Sequence, residues 1–240
     1  MPDMLTTAFF VIALLYACVG QAGGAGYIAI LGLAGFDGAT IKSTSLALTV
    51  LLAAITAFRL RNLVKPRDWY PFVILGVPMS VLGGALHLDG GIYRMVVAVL
   101  LIGAAAQMAW SAQKPQSRDP LPTPPFVPAL VSGGIIGIVS GIIGIGGGIF
   151  LAPLMLLAHW ASTRQIMAAS ALFNLCISIA GFTGVAASMP VFPDALPLWA
   201  IAVAAGGLIG VWLGAKHLPD AALRYILAVI LLASGIKLLT

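Results

Sequence analysis

The sequence contains no glutamate, and no aspartate, lysine or arginine lies inside an apolar stretch away from its ends. All seven acids are aspartates, at positions 3, 37, 68, 89, 119, 194 and 220, and each lies at a segment end. A proton pump or cation carrier usually buries a carboxylate at mid-membrane. A catalytic dyad would need converging ionisable groups, and His87, His159 and His217 also sit at segment ends. Cysteine is scarce too. Cys18 and Cys176 stand far apart inside apolar runs and read as buried thiols; no Cys-x-x-Cys metal spacing occurs. Charged residues make up 8% of the chain, against roughly 25% in soluble domains. The alternation of apolar and polar residues that marks a porin-like barrel is missing. So is a basic region ahead of the first apolar segment, which is therefore taken as part of the mature protein and not a signal peptide.

What remains is an apolar chain of 240 residues, 61% hydrophobic, with a mean hydropathy of +1.09. Apolar runs of about 18 residues or more recur along its length, the pattern of an all-α polytopic membrane protein. Eight segments can be drawn: 5–36, 43–58, 69–86, 95–110, 126–160, 165–189, 196–215 and 225–239. The proline-rich stretch 113–125 reads as a linker between a first transmembrane repeat, 1–112, and a second, 126–240. The net charge of +5 is spread singly or in one short cluster beside the segments, where the positive-inside effect accounts for it without nucleic acid.

The two halves read as homologous four-segment repeats. His87-Leu88-Asp89 and Arg94 fall on His217-Leu218-Pro219 and Arg224; Gly76 and Gly84 fall on Gly206 and Gly214. Upstream, Gly20, Gly23 and Gly26 fall on Gly141, Gly144 and Gly147, and Ser43-Thr44-Ser45-Leu46 falls on Ala169-Ser170-Ala171-Leu172. Segments 1 and 5 are longer than the 20 or so residues one crossing needs. If each is a broken, re-entrant helix, the repeats are inverted and the twelve basic residues divide nine to three between the two sides. Eight plain crossings would give parallel repeats and a split of seven to five, so the positive-inside rule favours inversion.

Segments 1 and 5 are interrupted by Gly20-Gln21-Ala22-Gly23-Gly24-Ala25-Gly26 and by Gly144-Ile145-Gly146-Gly147-Gly148. Four glycines in five residues weaken a helix by about 1 kcal/mol each relative to alanine. Half-helices starting near Gly147-Gly148 and Gly26-Tyr27 would present unpaired N–H groups and positive dipole ends to an anion. The expected substrate-binding residues are thus Gly23, Gly24, Gly26, Gly144, Gly146, Gly147 and Gly148, with Thr44, Ser45, Ser170 and Asn174 as side-chain partners. A second tier comprises Gln21, Tyr27, Lys42, Ser178 and Pro153, which would shape the second half-helix. Ser170, Asn174 and Ser178 share one helical face at i, i+4 and i+8. Gly206, Gly210 and Gly214 read instead as close-packing positions.

Gly141-x-x-Gly144-x-Gly146-Gly147-Gly148-x-x-x-x-Pro153-Leu154, its echo from Gly20 and the Thr44-Ser45-Leu46 stretch resemble the sulfite exporter TauE/SafE family of membrane permeases. The similarity of layout covers essentially the whole chain. It implies transport of small sulfur-containing anions such as sulfite, or of organosulfonates and related carboxylates. The first half departs from the pattern: Ala25 and Tyr27 replace glycines, and Gly32 stands where the proline would be. The expected protein is a multi-pass inner-membrane (plasma-membrane) secondary transporter working by alternating access, with a small anion and membrane lipid as its partners. No cofactor, metal or catalytic residue is called for, and monomer and homodimer both stay open. The alternatives are a passive anion channel and, further off, an intramembrane enzyme or a structural subunit.

Overall fold

The computed structural model of the chain describes residues 2–86, 90–113, 124–158, 160, 161, 163–187 and 191–214, with isolated positions 225, 228, 229, 232 and 236. Most of the expected linker, most of the eighth segment and all three histidines lie outside the described residues. The described residues are helical, without a strand: α1 (Pro2–Cys18), α2 (Gly24–Leu33), α3 (Gly38–Leu60), α4 (Tyr70–Ala85), α5 (Gly90–Ala112), α6 (Phe126–Ile143), α7 (Gly148–Leu157), α8 (Thr163–Ala186) and α9 (Leu196–Gly214). Four of these, α3, α6, α8 and α9, are long and apolar enough to cross a membrane. Apolar residues cover the outside as well as the core: Phe58, Ile135, Ile201, Leu208 and Trp212 are all exposed, as lipid-facing positions are.

Segments 1 and 5 are each two helices. α1 and α6 have 17 and 18 residues, and α2 and α7 have 10 each. Glycine stops the long helices. Gly20 (φ 72) and Gly144 (φ 85) take the left-handed conformation just past α1 and α6, where only glycine is free of a Cβ clash. Each short helix then turns back along the long one. Gly26 lies against Ile12 and Tyr16 of α1, and the Tyr27 ring is 5.6 Å from Phe9. Gly147 lies against Ile136, two turns back along α6. Each broken segment is therefore a helical hairpin.

Glycine contacts also give helix direction. Gly133, Gly137 and Gly141 of α6 meet Phe72, Gly76 and Ser80 of α4 in that order, so the two helices run the same way. α8 joins them: Gly76 meets Phe173, the Ser80 hydroxyl donates to the Ile177 carbonyl (2.7 Å), and Gly84 meets Gly181. α3 runs against α8, because Leu46 reaches Gly181 while Leu60 and Met167 meet at Gly20. α1 ends at that same level and so runs with α3; α9 runs with α1, Gly206 on Phe10 and Gly210 on Leu14. Thus α1, α3 and α9 point one way and α4, α6 and α8 the other. Two apolar clusters flank the α3–α8 pair, one built on α1, α2, α5 and α9, the other on α6, α7 and α8.

Candidate functional site

The two hairpins converge between α3 and α8. α2 begins at Gly24, two residues earlier than glycine spacing suggested, because Gly23 takes φ 74 and serves as its N-cap. The Cα of Gly24 abuts the Ile145 carbonyl of the other break so closely that a Cβ there would collide with it. Thr49, at the midpoint of α3, completes the junction: a Cβ on Gly24 would lie 2.8 Å from its hydroxyl, and one on Gly146 3.0 Å from its methyl. Across the junction, Asn174 sits at the midpoint of α8 against Gly146 and Gly148. Its Oδ1 accepts from the Ser178 hydroxyl at 3.4 Å.

The polar groups around this centre fall into two populations. Two carbonyls of the second break are satisfied: the Tyr93 hydroxyl donates to Ile143 O (2.8 Å) and the Ser45 hydroxyl to Gly144 O (2.8 Å). Donors are not. The first helical hydrogen bond of α2 comes from Tyr27 N–H to Gly23 O, so the N–H groups of Gly24, Ala25 and Gly26 precede it. Gly23 supplies no side-chain cap. The hydroxyls of Tyr16, Tyr27, Thr44, Thr49, Ser140 and Ser170 are buried without a partner. Buried polar groups are nearly always paired, so the orphan hydroxyls at the start of α2, Thr49 against Gly24 and Tyr27 over Gly23, are a chemical signature.

Individual expectations land differently. Gly24, Gly144, Gly146, Gly148, Ser45, Asn174 and Ser178 meet at the junction. Gly23 lies under the tip of the Tyr27 ring. Gly26 seats α2 on α1, and Gly147 faces the apolar side chains of Ile136, Phe173 and Ile177. Thr44 and Ser170 are buried with free hydroxyls, and Gln21 is half-buried, its N–H donating to Tyr16 O. Pro153 lies within α7. The Lys42 stem passes Gly144, and its ammonium donates to the carbonyls of Gly83, Gly84 and Leu86 at the end of α4 (3.1, 2.8 and 2.8 Å). That buried cation therefore caps a helix C-terminus, where the dipole is negative. Among the described residues no group of acids, histidines or cysteines is placed to hold a metal. Thr49 was missed by sequence reasoning; its signal is the i, i+4 step from Ser45, the same step that links Ser170 to Asn174.

The two glycine-rich breaks that carried the sequence resemblance meet at this junction, on an all-helical apolar body. Residues 5–238 match the family described as Sulfite exporter TauE/SafE. The chain belongs to this family. It is a membrane-embedded transporter of the TauE/SafE type, and it is 47% identical over 239 residues to a protein of Sinorhizobium fredii named "Probable membrane transporter protein y4hK". That similarity covers 98% of this chain and 97% of the relative. No solved structure matches.

Proposed function

We propose that this TauE/SafE transporter carries a small anion, a sulfur oxyanion such as sulfite or an organosulfonate, across the inner membrane by alternating access. The observation that supports it best is at the junction: the Ile143 and Gly144 carbonyls are capped, while the first N–H groups of α2 precede its helical bonding and the Tyr27 and Thr49 hydroxyls have no partner. A ligand rich in acceptor oxygens fits such a site. The absence of any carboxylate from the apolar segments points the same way. The family's description supplies sulfite as the first substrate to test.

The two halves act as inverted repeats around this site. α1, α2, α3 and α4 have 17, 10, 23 and 16 residues; α6, α7, α8 and α9 have 18, 10, 24 and 19. Each member of the first set points opposite to its counterpart, and the partnerships exchange, α1 packing on α9 as α6 packs on α4. Rocking one half against the other would open the junction to each side in turn. The test is uptake into proteoliposomes of sulfite, sulfate, thiosulfate, methanesulfonate and acetate. Saturable uptake of one or more of these anions is expected, and Gly146→Ala, whose Cβ would fall on Asn174, should lower it roughly tenfold or more in a monodisperse protein. Flux that never saturates would replace the carrier with a channel; full activity in Gly146→Ala would remove the site.

A further inference from the structure

We infer that Thr49 binds the transported anion directly, across the junction from Asn174, so that each helix start carries one side-chain donor. The inference rests on the anion-transport reading and adds to it the residue that links the two half-sites.

Position is the first argument. Thr49 stands at the midpoint of α3 and Asn174 at the midpoint of α8, two antiparallel helices, so both side chains share one depth. Transporter sites lie at that depth, at the interface of the repeats. Thr49 faces Gly24 as Asn174 faces Gly148, the first residues of α2 and α7. Thr49 also touches Gly146, and so contacts both breaks at once.

Rotamer choice is the second. A threonine inside a helix ordinarily turns its hydroxyl onto a carbonyl of the preceding turn. Thr56, two turns further along the same helix, does so, donating to Leu52 O (3.0 Å) and Ala53 O (3.1 Å). Ser43 and Ser45 back-bond in the same way. Thr49 is fully buried, forgoes that bond and finds no other partner. Its hydroxyl is instead directed at the start of α2, where a Gly24 Cβ would sit 2.8 Å away. An O–H aimed at helix N–H groups has no acceptor among them; an anion lodged there accepts from both.

The pair is unequal, which bears on selectivity. With Oδ1 of Asn174 engaged by Ser178, the amide offers its Nδ2 hydrogens, whereas Thr49 offers one rotatable hydrogen and a methyl. The ligand's oxygens are thus held tightly from the α8 side, and its other end meets a smaller, partly apolar group on the α3 side.

Thermal shift and proteoliposome uptake with sulfite, sulfate and methanesulfonate, on wild type, Thr49→Val and Thr49→Ser, test this. Thr49→Val keeps the shape and removes only the hydroxyl. It should stay monodisperse, melt no lower than wild type without ligand, and show KM raised about tenfold or more with the anion-induced shift lost. Thr49→Ser should keep KM within about threefold of wild type. A Thr49→Val protein with wild-type KM and wild-type shift overturns this inference and leaves the anion reading standing. A wild type that none of the three anions stabilises and that takes none of them up overturns both.

Discussion

Gly146 and Gly35 both hold left-handed backbone, with φ of 78 and 82, yet a side chain would have different consequences at the two positions. A Cβ on Gly146 would run into Asn174 Oδ1 and approach the Ser178 hydroxyl to 2.9 Å; a Cβ on Gly35 would meet nothing within 4 Å. Gly35→Ala is therefore expected to cost only the backbone term, about 1 kcal/mol, and to leave transport intact. Gly146→Ala should lower anion uptake by roughly tenfold or more, because strain and displacement of Asn174 fall on the site itself. Uptake and thermal midpoint measured side by side separate the two effects. Asp37 offers a different residue-level test. Its carboxylate caps α3 by accepting from the Thr40 hydroxyl (2.6 Å) and the N–H groups of Ala39 and Thr40, which hold its pKa below the usual value. A depressed folded pKa means that the stabilisation is present above the unfolded carboxylate value and is lost as pH falls through the folded one. Asp37→Ala should cost about 1 kcal/mol near neutrality, and the difference from wild type should shrink in melts as pH falls below the usual carboxylate range.

Among elements, the pairs α4–α6 and α1–α9 approach closely because glycine faces backbone across each interface. A Cβ on Gly137 would strike the Gly76 carbonyl, and one on Gly206 the Phe10 carbonyl. Gly137→Leu should therefore disperse α4 from α6 and give aggregated protein on size exclusion, unlike the site variants. Tyr93→Phe is milder: it leaves the Ile143 carbonyl without its partner and should lower stability by about 1–3 kcal/mol. The helix breaks were legible in the sequence, since clustered glycine is a local signal that needs no tertiary knowledge, and α6 and α7 end and begin where the four glycines stand. The packing role of Gly206 was legible for the same reason. The exact start of α2 was not, because Gly23 and Gly26 are equally good glycines and only the positive φ at Gly23 distinguishes them. Thr49 escaped notice because threonine in a helix is ordinary by composition; what marks it is a bond it fails to make, visible only with the chain folded.

At the scale of the molecule, residue counts alone left two topologies standing, because a segment of 32 residues can cross once or turn back. The hairpins decide the relative directions of α3 and α8, and so the sides on which their ends emerge. Arg61 follows the end of α3, level with the start of α8; Val191 follows α8 and accepts from Ser43 near the start of α3. With re-entrant segments, these two positions lie on opposite faces of the membrane, whichever face is cytoplasmic. With eight single crossings, both would emerge on the same face, since the chain would then cross an even number of times between them. Both positions border exposed residues, and Cys18 and Cys176 can be replaced by alanine to clear the background. Arg61→Cys and Val191→Cys, made singly, should label with an impermeant maleimide from opposite sides. The basic cluster of Arg59, Arg61, Lys65 and Arg67 places Arg61 inside, so in whole cells Val191→Cys should react at once and Arg61→Cys only after permeabilisation. Labelling of both from the same side would mean that α6–α7 crosses the membrane, and it would dissolve the facing helix starts on which the anion site depends.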